Sequence, residues 1–238
     1  MKWVVPQTLN IVATDLSETT NLTDADIASQ VTKANSFFIT LDQGIADTIS
    51  LLGLQAKSVR IDLLDVTTQA VIKTYEIETI DEDFEDIWGY FYDDFLFKND
   101  IVVNLIQTYN MLIKVTVINV GGTAKLGKPI VGRASKSLDM LSKHTPGMTD
   151  YTSVNRGTTG SVTITNGYYA KIMSFSLIVD TSDYSRTIKR LYTIRGKAIL
   201  FIGDGGEHTI VYGIVRDFDS QYEFQDKNYI GLSIEGII

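Results

Sequence analysis

The chain has no cysteine among its 238 residues. Disulfides and thiolate metal sites are therefore excluded, and stability has to come from packing, with assembly as a further source. Histidine occurs twice, as His144 and His208 in separate segments, so imidazole chemistry has little to build on. No apolar run approaches the roughly 18 residues needed to cross a bilayer. The opening Met1-Lys-Trp-Val-Val-Pro6 is broken by proline and followed by the polar run Thr8 to Asp26, unlike an export signal. A soluble chain with no membrane partner is expected. Basic residues are also short, 21 Lys and Arg against 29 Asp and Glu. Without a basic stripe, nucleic acid is not an expected partner, because binding to phosphate is driven by cationic side chains that displace counterions.

What the chain has in quantity is strand-forming material: ten Phe, twelve Tyr, two Trp and abundant Val, Ile and Thr, with only three Pro to interrupt them. The expected fold class is mainly β, with two β-sandwich or barrel-like domains of antiparallel strands and one helix in the C-terminal domain. Charge divides the chain similarly. Residues 1–128 hold 18 acidic and 9 basic side chains, and residues 129–238 hold 11 and 12. Gly121-Gly122 and Lys125-Leu-Gly-Lys-Pro129 supply breakers at that point, so a boundary is expected near residue 128. The resulting plan is an N-terminal arm over 1–36, an acidic β-sandwich-like domain over 37–128, and a β-rich domain over 129–238. In the arm, Thr23-Asp-Ala-Asp26 could cap a short helix over Ile27 to Val31, or the segment could be extended.

Period-two alternation places strands at Phe37–Leu41, Thr48–Leu52, Ser58–Leu64 and Ala70–Ile77, the last two forming a hairpin around Asp65–Gln69. Two nearly continuous apolar runs follow, Asp100–Ile106 and Met111–Asn119. Further on, Ala134–Arg156 is polar and reads as a long ordered loop, and a loop of that length points to contacts. Gly160–Thr165 and Tyr168–Val179 flank Asn166-Gly167, which reads as a type I′ hairpin turn. Asp180-Thr-Ser-Asp183 offers capping side chains for a helix over 181–195, ended by Gly196. Its Arg186, Lys189, Arg190 and Arg195 read as a solvated basic face, with docking on an acidic neighbour as the alternative.

Three stretches raise questions of chemistry. Asp81-Glu-Asp-Phe-Glu-Asp86 precedes Trp88-Gly-Tyr-Phe-Tyr92 and Asp93-Asp94. Trp88, Tyr90 and Tyr92 beside Asp93 and Asp94 make the candidate sugar-facing or partner-facing set, since rings stack on pyranose faces and carboxylates bind hydroxyls or act as an acid and base pair. Clustered oxygens could also hold Ca²⁺, but the Asp-x-Asp-x-Asp-Gly loop spacing is missing. The bland reading is a solvated acidic turn leading into a strand. A triad of His144 with Ser135, Ser137 or Ser142 and Asp139 or Asp150 lacks the Gly-x-Ser-x-Gly elbow. Gly203-Asp-Gly-Gly206 matches no phosphate loop and reads as a hairpin tip between the runs Ala198–Ile202 and Thr209–Val215. No enzyme activity, cofactor or metal is expected.

The ordered set Pro129-Ile-Val-Gly-Arg133, Asp150-Tyr-Thr152, Gly160-Ser-Val-Thr-Ile164, Tyr169-Ala-Lys171, Leu191 with Ile194-Arg195, Phe201-Ile-Gly203, Ile210-Val-Tyr-Gly213, Asp217-Phe218 and Ile234-Glu-Gly236 resembles a family of tailed-bacteriophage tail proteins. The resemblance extends upstream through Leu52 to Asp65, Trp88-Gly-Tyr-Phe91 and Asp100 to Val103. Some members of that family carry a Trp-x3-Tyr-x2-Gly module, similar to small carbohydrate-binding domains, after the N-terminal segment. This chain has only Asp24 to Asn35 there. The resemblance implies a structural component of a phage tail or baseplate, made in the host cytoplasm and located in the virion. Its partners would be copies of itself in a ring-like assembly and other tail proteins, and no catalytic residues are implied. The alternative is a carbohydrate-binding tail module that recognises a host glycan.

Overall fold

The computed structural model describes the chain except residues 25, 82–95, 110, 136–137, 157, 159, 204–205, 223–225 and 238. The fold is mainly β, built of antiparallel sheets. Two compact units form, but they do not divide the chain into consecutive halves. One contains Pro6–Ala134, and the other combines Met1–Val5 with Ser135–Ile238.

The opening strand β1 (Lys2–Pro6) contributes to the second of these units. Its Trp3 pairs with Phe201, far along the chain, and Met1 and Trp3 are both buried. Residues 1–36 are therefore largely ordered structure rather than an arm. The short helix α1 (Thr20–Thr23) lies upstream of the expected position. Asp26 accepts bonds from the Ala28 N–H at 2.7 Å and the Ser29 hydroxyl at 3.1 Å, which draws 26–29 into a turn in place of a helix.

The Pro6–Ala134 unit is a sandwich. After β2 (Ile11–Thr14) come β3 (Val31–Asp42), β4 (Ala46–Leu52), β5 (Ser58–Asp65), β6 (Val71–Glu78), β7 (Ile80–Asp81), β8 (Leu96–Phe97), β9 (Ile101–Thr108), β10 (Met111–Leu126) and β11 (Lys128–Ala134). One sheet runs β2-β3-β10-β5-β6, another layer carries β11-β4-β9, and β7 and β8 form a short pair. Alternate residues of both layers fill one core, with Ile39, Leu41, Ile61, Val115 and Val117 from the first and Ile49, Leu51, Ile101 and Val131 from the second. The β5–β6 hairpin forms as the alternation predicts. At its turn the Asp65 carboxylate accepts from the N–H and hydroxyl of Thr68 and the N–H of Thr67, and the Thr68 N–H above all holds its pKa below the usual value. Gly121-Gly122 does not end a domain. It sits in a bulge inside β10, where the pairing with β3 shifts between Asn119 and Thr123, and the chain then continues into β11, paired with β4. The division between units consequently falls at 134/135, not near 128.

The other unit holds β12 (Asp139–Asp150), β13 (Ser153–Arg156), β14 (Val162–Thr165), β15 (Tyr169–Asp180), α2 (Thr181–Ile194), β16 (Ile199–Ile202), β17 (Ile210–Tyr222) and β18 (Lys227–Gly236). Its main sheet has the order β12-β15-β18-β17-β16-β1. The expected loop over 134–156 is mostly strand. Among the described residues β12 pairs with β15 only and so lies at an edge, which is where a strand containing Pro146 is tolerated, because one side needs no ladder donors. Asn166-Gly167 is not a hairpin turn either, since β14 pairs back onto β13. Gly167 instead passes so close to the Tyr151 backbone that a Cβ there would lie 2.4 Å from its carbonyl carbon.

Helix α2 ends as its sequence predicts, with Gly196 at a φ of 71°. Its start differs: Asp180 occupies the N-cap position but makes no side-chain cap bond. Leu191 and Ile194 pack with Phe175, Leu177, Phe201, Ile230, Leu232 and Ile234, so helix and sheet share one core. Tyr192 meets Phe218 edge to face at 5.4 Å between centroids. Arg186, Lys189, Arg190 and Arg195 are exposed, as on a solvated face.

Candidate functional site

The residues singled out by sequence, Trp88, Tyr90, Tyr92, Asp93 and Asp94, lie outside the described residues. Among the described residues, no group of three or more His, Asp or Glu is arranged to hold a metal. The groups that converge are elsewhere, on the face of the β15-β18-β17 sheet opposite to α2.

Three triplets with the same pattern create that face: Ser174-Phe-Ser176 in β15, Gly231-Leu-Ser233 in β18 and Asp217-Phe-Asp219 in β17. Because side chains alternate along a strand, Phe175, Leu232 and Phe218 turn towards the helix while the flanking residues turn away. The pairing aligns them in rows. Ser233 lies opposite Ser174 on one side and Asp217 on the other, and Gly231 lies opposite Ser176 and Asp219. These residues line a groove of about 190 Å³. Gly231 opens it: a Cβ at that position would lie 2.1 Å from an Asp219 carboxylate oxygen, so the carboxylate occupies space that only glycine leaves vacant. Tyr229, two residues before Gly231, shares the same face, and Glu235, two residues after Ser233, lies 3.7 Å from the Arg216 guanidinium.

The chemistry available is acceptance and donation of hydrogen bonds to a neutral, hydroxyl-rich ligand. Carboxylates accept from hydroxyl pairs, and serine hydroxyls both donate and accept. Asp217 and Asp219 stand side by side on one strand, not across a cleft, so they do not flank a bond as a glycosidase pair does.

A larger depression, about 380 Å³, lies on the β2-β3-β10 sheet against Val12, Phe38, Thr40, Leu112 and Lys114. It is a weaker candidate. The Lys114 ammonium sits 4.8 Å from the centroid of the Phe38 ring and covers the surface on which a sugar would stack.

No family model matches the chain, and no curated protein matches it. Among solved structures, the lectin domain of lectinolysin complexed with Lewis b antigen has a TM-score of 0.37 and 11% identity, over 55% of this chain and 94% of that one. A Streptococcus pneumoniae fucose-binding module has a TM-score of 0.37 and 12% identity, over 54% and 97%. A chitosan-binding module from a Paenibacillus sp. IK-5 chitosanase/glucanase has a TM-score of 0.37 and 9% identity, over 54% and 98%. All three are carbohydrate-binding modules by name, and likeness of this size carries no argument about the present groove.

Proposed function

We propose that the chain is a non-catalytic β-rich module that binds carbohydrate in the groove between Ser174, Ser176, Ser233, Asp217 and Asp219. One observation carries the reading: two carboxylates and three hydroxyls from three adjacent strands share one face, with Gly231 giving Asp219 its place. The set suits a polyol better than an anion or an apolar ligand, since it offers acceptors in excess and few rings.

Screening the intact protein against an array of glycans, followed by calorimetry on any hit, tests this. Asp217→Ala and Asp219→Ala are each expected to weaken binding at least about tenfold, the loss of one charge-assisted hydrogen bond, with the thermal midpoint unchanged. Binding that survives both substitutions but disappears in Trp88→Ala would move the site to the 81–94 stretch. No binding to any glycan would end the carbohydrate reading.

A second reading, structural component of a phage tail or baseplate acting through subunit contacts, is favoured by a different observation. The β13–β14 ribbon and its root expose an unusual concentration of large apolar side chains, among them Tyr151, Ile164, Tyr168 and Tyr169. Exposed apolar clusters of this kind mark protein contact surfaces.

A further inference from the structure

Among the described residues, strands β13 and β14 pair with each other and with no other strand, and all eight of their residues are exposed. A two-stranded ribbon is marginal in water by itself. This one is also poorly protected. Between Tyr151 and Ala170 the only charged residue is Arg156, whereas strand edges that face water normally carry several charges or a proline to prevent pairing. Val154 lies opposite Ile164, and Arg156 opposite Val162, so Val154, Val162 and Ile164 share one uncovered face with Arg156 towards its end.

We infer that this ribbon is a self-association element, whose occupant is the same ribbon of a second copy of the chain, apposed antiparallel about a two-fold axis. The inference rests on the assembly reading above and gives that reading a defined contact.

Three features select a second copy. The first is area. Tyr151, Val154, Val162, Ile164, Tyr168 and Tyr169 are between 52% and 67% exposed. With about 200 Å² for each ring, the three tyrosines present roughly 350 Å², and the three aliphatic side chains add to that, towards the roughly 800 Å² that each partner contributes to a stable interface. The second is composition, because a nearly uncharged surface of tyrosine and β-branched side chains offers a partner of opposite charge little to read and is complementary to itself. The third is the placement of charge. Asp150 at the root of the ribbon and Arg156 towards its outer end are six residues apart in sequence, and antiparallel apposition brings each Arg156 towards the second copy's Asp150. The Thr152 N–H donates to the Asp150 carboxylate at 2.8 Å and, as the largest cause, holds its pKa below the usual value, so the carboxylate is charged at neutral pH.

The test is the mass of the full chain in solution, by sedimentation at micromolar concentration, combined with charge exchange. The wild type is expected to be a dimer or a higher assembly, and Val154→Asp with Ile164→Lys a monomer with unchanged circular dichroism and thermal midpoint, because both side chains are exposed and belong to neither core. Arg156→Asp is expected to weaken association at least about tenfold through like-charge apposition, and adding Asp150→Arg to restore it. Because the chain has no native cysteine, Asn155→Cys can carry a single nitroxide, and dipolar coupling between copies is expected. An assembly that persists in the double ribbon variant overturns the ribbon contact and leaves the assembly reading intact. A monomeric wild type overturns both. Failure of the charge exchange to restore association, or absence of dipolar coupling in an assembled sample, overturns the antiparallel arrangement.

Discussion

Two glycines separate stability from function at the level of single residues. Gly213 in β17 faces the backbone of β18, where a Cβ would lie 2.1 Å from the Glu235 carbonyl oxygen. Neither strand can yield without breaking the ladder, so Gly213→Ala is expected to cost about 1–3 kcal/mol, the usual penalty for overpacking, read as a lower denaturation midpoint. At Gly231 the obstruction is a side chain. Gly231→Ala displaces the Asp219 carboxylate, and the expected result is a nearly normal midpoint with the glycan affinity of the groove lost. Equal loss of stability in the two variants would show that Asp219 is structural. The pattern that builds the groove is visible in the sequence as three triplets in which a large apolar residue stands between small or polar ones. What the sequence does not contain is the register that places Ser233 between Ser174 and Asp217, since β15 and β18 are separated along the chain by a helix and two other strands.

Among the elements, local signals were legible where strand and turn agreed. The β5–β6 hairpin and α2 follow from alternation, helical spacing and turn chemistry. They were not legible where tertiary contacts overrode local preference. Asn166-Gly167 has turn chemistry, but Gly167 is used for its close approach to Tyr151. β12 lacks a strand pattern because, among the described residues, it pairs with β15 alone, and such an edge strand tolerates Pro146 and polar residues. Helix α2 supplies a prediction of its own. Asp180 makes no side-chain cap bond, so Asp180→Ala should cost well below the roughly 1 kcal/mol of a working cap. Leu191→Ala, at a position 1% exposed in the shared core, should cost about 2–5 kcal/mol. Urea denaturation of both variants provides the comparison, and a large loss from Asp180→Ala would show that the carboxylate does cap the helix in solution.

For the whole molecule, the decisive feature is the discontinuity of one unit. Composition and charge place a change of character near residue 128, yet the chain stays in the sandwich until Ala134, because β11 pairs with β4. No local signal could assign Met1–Val5 to the unit built mainly from the C-terminal half, since what fixes it is pairing with β16 and the burial of Met1 and Trp3. A fragment spanning 6–134 has its own core and is expected to unfold in a single cooperative transition. A chain lacking Met1–Val5 should retain that transition while the other unit melts earlier, as a scanning calorimeter would resolve. Coincident loss of both would show that the units fold as one.

The position of β1 also sets a timetable for synthesis. Its partner β16 begins at Ile199, almost two hundred codons after β1 has been translated, a delay of roughly ten to forty seconds at ribosomal speeds. Throughout that interval the sandwich can complete itself, and Trp3 can bond to Ser135, while the edge of β1 that takes Leu200–Ile202 stays unpaired and open to chaperones. The nascent chain thus carries one open strand edge at β1 until Ile199–Ile202 has emerged.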